Sequence, residues 1–281
     1  MDESLRVRPA APLRPYVAWY SGYRQRGLAP ARHRGLPSPW LTFILTLDEP
    51  LTVAAHPDPR QPGATYDSLL GGLHTRPALI THQGSQSGIQ LALHPLGARA
   101  LLGLPAGELA SLDLPADALL GPAVRELRER VLAAPDWPGR FAVLDRGLAA
   151  LARPARAPAP EVRRAWQLLT ASGGAAPVAE LAREVGWSRR HLADRFRQET
   201  GLSPKAAARV IRFDRARRRL DAPGEDGLAG LAARTGYFDQ AHLAREFRAL
   251  AGCPPTRWLA EERPGGVPGR QAGEEGARPV G

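Results

Sequence analysis

Two stretches near the C-terminal end of the chain repeat one another at a spacing of about 50 residues, and a repeat of that kind limits the fold more than any other feature. The first copy is LAREVGWSRRHLADRFRQETGLSP, Leu181–Pro204, and the second is LAARTGYFDQAHLAREFRALAGCPP, Leu231–Pro255. They align without a gap through Gly186 and Gly236. After one extra residue in the second copy, Phe238, they align again from His191 and His242. Val178, Leu181, Ala182 and Val185 have helical spacing behind Pro177, which a first turn tolerates. Gly186 ends this short helix as a residue free to take positive φ, and Ser188 caps a second one. Leu192 and Phe196 then fall on an inner face with Glu199 at its margin, whereas Arg190, Ala193, Asp194 and Arg197 fall opposite. In the second copy Leu228, Leu231 and Ala232 build the first helix, Gly236 makes the turn and Asp239 caps. Leu243 and Phe247 point inward; Ala241, Ala244, Arg245 and Arg248 point outward. A short helix, a glycine turn and a second helix with a polar outer face is the helix-turn-helix arrangement. One such hairpin is common in ordinary proteins. Two with matching faces predict a module that docks on double-stranded DNA.

Charge agrees with that partner. The formal net charge of the 281 residues is +10, and Lys205 is the only lysine. Arginine makes planar bidentate contacts to phosphate and guanine. Codon use in a GC-rich genome accounts for the ratio of arginine to lysine, but not for where the charge sits. It is densest at Arg209–Arg219, where a single acid, Asp214, stands between the two copies. Cys253 is the only cysteine, which excludes an intrachain disulfide and a cysteine-based zinc site and reads as an incidental thiol. The start, MDESLRVRPAAP, has acids and prolines where a signal peptide needs an apolar run, and no stretch approaches the roughly 20 apolar residues of a membrane span. A cytoplasmic protein with no membrane partner is expected.

The segment 153–160, RPARAPAP, stays extended and cannot form a core, so it predicts a linker. Residues 263–281, rich in Gly and Pro, predict a disordered tail. The chain then divides into an N-terminal sensing or dimerising domain (1–152), the linker, a DNA-binding domain (161–262) and the tail. The repeat closes its own core in this scheme, so residues 160–262 should fold alone. In the N-terminal part, Arg14–Tyr23, Leu41–Leu47 and Ser87–Pro95 read as strands and Gly71-Gly72 as a turn. From Ala98 onward the pattern turns helical, with Val124, Leu127, Val131 and Leu132 at helical spacing and then Phe141–Leu151. Strands followed by helices predict an α+β sensor-like domain, ahead of an all-α domain of two tandem helix-turn-helix subdomains joined by a linker helix.

The segment from about Arg163 to Glu262 resembles the DNA-binding domain of the AraC/XylS regulators. The likeness rests on LAREVGWSRRHLADRFRQETGLSP, the linker helix ARVIRFDRARRRL and GYFDQAHLAREFRALAGCPPTRW. It implies two recognition helices entering adjacent major-groove segments, with a linker helix over about Pro204–Leu220. Carried over residue by residue, it implies base-facing Arg189, Arg190, Ala193 and Asp194 in the first recognition helix and Gln240, Ala241 and Arg245 in the second. Arg197 and Arg248 are implied phosphate contacts, and Arg212 either braces the subdomains or touches DNA. Ala193 and Ala241 offer only apolar contact, for instance to a thymine methyl. Asp194 either reads a cytosine amine or pairs with an arginine. The sequence departs from the family at Ala207, where an aromatic is common, and keeps Trp258 in the second copy. The N-terminal part resembles, in pieces such as ALHPLGARALLGLPAGEL, the loosely cupin-like domains of actinobacterial-type members. Together these imply a transcription activator working with RNA polymerase, with a small-molecule effector or a homodimer as the input.

His33, His56, His74, His82 and His94 contain no H-x-H pair, and His74 and His82 flank an expected loop, so no metal site is assigned. His191 and His242 lie beside the inner faces, which suits helix packing better than chemistry. Neither a nucleophile with its base nor a metal set stands at recognisable spacing, so no catalytic residue and no cofactor are assigned. Two alternatives stay open: an enzyme, and a nucleoid or repair protein using the same module without site specificity.

Overall fold

The computed structural model describes residues 2–220 and 227–262; the expected tail at 263–281 lies outside the described residues. The N-terminal part is β-rich. Its strands are β1 (Asp2–Val7), β2 (Val17–Arg26), β3 (Ala31–Gly35), β4 (Leu41–Thr46), β5 (Leu51–Ala55), β6 (Ala64–Tyr66), β7 (Ser68–Gly71), β8 (Ala78–His82), β9 (Ser85–Leu93) and β10 (Asp113–Pro115). They form two antiparallel sheets in the orders β1-β2-β9-β4-β7-β10 and β3-β8-β5-β6. Four helices follow the strand β9: α1 (Ala98–Leu102), α2 (Ala116–Leu120), α3 (Pro122–Ala133) and α4 (Trp137–Leu151).

The larger sheet is covered on both faces, which is why β4 carries apolar side chains on both of its faces. Leu41, Phe43 and Leu45 join the core under α3 and α4, with Val124, Leu127, Val131 and Leu144. Ile44 points the other way, into a smaller cluster with Val53, Tyr66, Leu69 and Ala78 between the sheets. Three expectations need correction. Gly71-Gly72 does not make a turn: Gly71 pairs with Thr42 on one side and Asp113 on the other. Small residues are required there by close approach, since a Cβ on Gly72 would lie 1.7 Å from the Leu109 carbonyl oxygen. His74 and His82 do not flank a loop, because most of the residues between them form the strand β8, which His82 ends. Leu132, given helical spacing with the buried Val131, is 38% exposed.

The C-terminal part is all helical among the described residues: α5 (Pro160–Ala171), α6 (Val178–Glu184), α7 (Arg189–Thr200), α8 (Pro204–Arg219), α9 (Gly227–Thr235), α10 (Gln240–Ala251) and α11 (Pro255–Glu262). Both copies of the repeat fold as read. Gly186 and Gly236 take positive φ, +69° and +84°. The side chains of Ser188 and Asp239 accept hydrogen bonds from the backbone N–H groups of His191 and His242. Leu192, Phe196, Leu243 and Phe247 are fully buried. The helix α8 joins the two subdomains into one core, where Phe213 packs on Phe247 at 4.9 Å between ring centroids. Ala207 is buried within it.

That core is not self-closed, contrary to the sequence expectation. Leu73, from the segment after β7, is fully buried inside it, and Leu36 and Leu96 pack against its edge. Two ion-paired contacts flank this plug. Arg99 of α1 forks onto Glu199 of α7 through bonds of 3.0 and 2.9 Å. Arg34 of β3 reaches Glu261 and Glu262 at the end of α11, at 2.6 and 3.3 Å. Each helix-turn-helix subdomain is therefore tied separately to the N-terminal domain.

Candidate nucleic-acid interface

The helices α7 and α10 turn matching outer faces to solvent. Arg189, Arg190, Asp194 and Arg197 are exposed on α7 and Ala193 is half-buried; Gln240, Ala241, Arg245 and Arg248 are exposed on α10. None of the six charged side chains in these two sets makes an ion pair among the described residues. Asp194, for which pairing with an arginine was one of two sequence expectations, makes no ion pair among the described residues; its neighbour Arg195 donates to Gln198 at 3.0 Å. N-domain residues approach α7 at its C-terminal end. A Cβ on Gly107 would sit 2.2 Å from the Gln198 carbonyl oxygen, and one on Gly201 3.1 Å from Ala110. The N-terminal turns of both helices, the ends that address a groove in this motif, are left open.

The distance between the two faces is held by side chains of α8. Arg212 donates to the Gly174 carbonyl at 2.6 Å in the first subdomain, and its guanidinium lies 6.0 Å from the ring centre of Tyr237 in the second. The sequence left Arg212 divided between bracing and DNA; its guanidinium contacts both subdomains. Arg209 pairs with Glu246 of α10 at 2.7 Å, a contact that the sequence did not suggest. His191 and His242 pack edge-on against Trp187 and Tyr237 at 4.5 and 5.3 Å, the helix-packing role expected of them. Cys253 is buried, and burial pushes its thiol up from the ordinary range, so little reactive thiolate is present.

A second feature lies between the two sheets. A cavity of about 130 Å³ is walled by Trp19, Trp40, Ile44, Leu69 and Ile80, and α8 closes one side with Asp214, Arg217 and Arg218. Asp214 is buried and pairs with Arg217 at 2.8 Å and Arg218 at 2.5 Å. Arg6 of β1 also lines it, 3.9 Å from the Trp19 ring centre; burial, and then the neighbouring Arg218 and Arg217, hold its pKa down to about 10. The indole N–H groups of Trp19 and Trp40 and the Nε atoms of Arg217 and Arg218 are buried without a hydrogen-bond partner, and no lining acceptor is in that state. The sequence gave no sign that α8 supplies a wall of this cavity. Beneath the cavity His56 Nδ1 lies 2.8 Å from Asp113, and Tyr66 closes on its other nitrogen at 3.2 Å. No group of three or more metal-ligating side chains occurs among the described residues. No helix among them is long and apolar enough to cross a membrane.

Known proteins share both halves. A helix-turn-helix domain family matches residues 162–261, and a domain of unknown function, DUF6597, matches residues 5–115. The probable thc operon regulatory protein of Rhodococcus erythropolis is 33% identical over 85 residues, 29% of this chain and 25% of that protein. The HTH-type transcriptional regulator Rv1931c of Mycobacterium tuberculosis is 32% identical over 87 residues, 31% of this chain and 33% of that protein. The chain thus spans a quarter to a third of the length of these relatives. Over the whole fold, unsaturated fatty acid-bound ToxT from Vibrio cholerae superposes with a TM-score of 0.53 at 10% identity, covering 91% of this chain and 97% of ToxT.

Proposed function

We propose that this chain, an AraC/XylS-type regulator by its C-terminal domain, binds particular duplex sequences through α7 and α10 and is controlled through its N-terminal domain. The observation that carries this reading is the pair of unpaired, arginine-bearing outer faces held at one spacing by Arg212 and Arg209. In this reading Arg189, Arg190, Ala193 and Asp194 address one groove segment, and Gln240, Ala241 and Arg245 the next, about one helical turn away. Arg197 and Arg248 meet phosphate. Residues 1–152 act as the sensing unit and 161–262 as the DNA-binding unit. Whether RNA polymerase is recruited, and how many copies bind, follow from the position and length of the site relative to a promoter.

The cavity supports the control half of the proposal. Its unsatisfied groups are all donors, and its other walls set aromatic and aliphatic side chains beside polar ones, among them His33, Gln86, Gln90 and Asp113. A molecule with an acceptor-rich anionic end and an apolar body satisfies both. The ToxT structure was obtained with an unsaturated fatty acid, a molecule of that class. Because Arg217 and Arg218 sit on α8, such an effector touches the element that spaces the recognition helices.

The test uses genomic fragments retained by the purified full-length protein. Arg245→Ala costs about 1–3 kcal/mol on the selected site and leaves random duplex nearly unaffected. Arg248→Ala weakens all sequences alike and lowers the salt slope by about one unit. Equal, sequence-blind losses for Arg190, Arg245 and Arg248 would mean a non-specific binder.

A further inference from the structure

Of the six phenylalanines, Phe43, Phe141, Phe196, Phe213 and Phe247 are at most 7% exposed, whereas Phe238 is 92% exposed. It is also the one residue that the second copy of the repeat adds to the first. The ring stands in the turn ahead of α10, between the buried Tyr237 and the cap Asp239, two positions before Gln240. Its backbone is held in place. The Phe238 N–H donates to His242 Nδ1 at 3.4 Å, the His242 ring packs against Tyr237, and the next residue, Asp239, accepts from the His242 N–H at 2.6 Å. The peptide is thus fastened from below while the side chain projects into water.

We propose that Phe238 is a specificity-determining residue that packs on a thymine methyl group at the edge of the second groove segment. This rests on the reading of α10 as a recognition helix. The ring shares its end of α10 with Gln240 and Ala241, the end a recognition helix presents to the bases. A phenyl ring offers no hydrogen bond, and the C5-methyl of thymine is the one apolar feature of the major-groove edge. Burying an aromatic ring against it stabilises the complex by removing apolar surface from water. Holding the backbone in advance leaves little ordering to be done on binding. The first recognition helix has no counterpart, so the two halves of the site differ in this contact.

The experiment uses the full-length protein and the site recovered from its retained genomic fragments. Phe238→Ser leaves the melting temperature unchanged, because the ring has almost nothing to lose, and lowers affinity for that site by about tenfold with random duplex unaffected. Deoxyuridine is then placed at each thymine in turn. One position weakens binding several-fold for the native chain and not for Phe238→Ser. Arg245→Ala runs in parallel. Loss for Arg245→Ala with no loss for Phe238→Ser and an unchanged deoxyuridine profile overturns the proposal and leaves the interface standing. No loss for either removes the interface itself. Native DNA binding by Phe238→Ser with lost transcription in a purified system also overturns it, since the ring would then face the polymerase.

Discussion

Removing either partner of the Arg99–Glu199 fork should destabilise the protein by unequal amounts, and the inequality follows from burial. The Glu199 side chain is 9% exposed and the Arg99 side chain 33%. Arg99→Ala strands a carboxylate out of water in the last turn of α7, where the helix dipole is also negative. A buried charge left without its partner costs about 3–5 kcal/mol. Glu199→Gln removes the buried charge itself and keeps a side chain of the same shape. Arg99 is left behind, but a third of it already meets solvent, so the loss is nearer that of one ordinary hydrogen bond, about 1 kcal/mol. The double variant Arg99→Ala/Glu199→Gln should be more stable than Arg99→Ala alone, because the second change relieves the stranded charge. Urea denaturation of the full chain, followed by tryptophan fluorescence and circular dichroism, measures all four forms. Equal losses for the two single variants, adding in the double, would refute the reasoning and reduce the fork to a surface contact.

Two further outcomes are expected. Leu73→Ala opens a cavity in the C-terminal core from a residue of the N-terminal domain, so it should cost about 2–5 kcal/mol and weaken the docking of the two domains, visible as faster proteolysis between 153 and 160; unchanged stability would show that the helical core closes without it. Burial, and then the neighbouring His82, holds His33 down to about 4, so its ring stays neutral in the folded protein while the unfolded chain takes up a proton near pH 6.5. Stability attributable to His33 is therefore intact above pH 6.5 and falls as pH drops toward 4, by about 1–2 kcal/mol at pH 4.5 given that part of the ring faces the cavity; His33→Asn should flatten that part of the pH dependence, and an identical slope in both proteins would count against it.

The inner and outer faces of α7 and α10 were legible in the sequence because each is written within about a dozen consecutive residues. Leu192 and Phe196 define the inside of α7 by spacing alone, so Arg190 and Asp194 are outside whatever else the chain does. The same local logic reached the caps, the glycine turns and the long strands β2, β4 and β9, which carry enough aromatic and aliphatic side chains to be read as strands. It failed for β3, ARHRG, and for β6, ATY, because short strands with polar side chains carry little pattern of their own and exist only against a neighbour. It failed again for Gly71, whose small size answers a close approach from Asp113 rather than a change of direction.

What joins the two domains was not legible at all, and the reason is distance along the chain. Glu199 lies on the margin of its helical wheel and becomes a buried residue only because Arg99, a hundred positions earlier, arrives beside it. Glu262 closes α11 against Arg34, 228 positions away. Arg217 and Arg218 belonged, on the sequence, to a basic run between two DNA-reading motifs. Folding places them in the wall of the cavity, where Asp214 pairs with both. One helix thus divides its charge. Arg209 and Arg212 set the spacing of α7 and α10, and Arg217 and Arg218, one to three turns further on, face the interior of the other domain. A helix is stiff over that length, so the proposed effector would act on the same rigid element that carries Arg209 and Arg212.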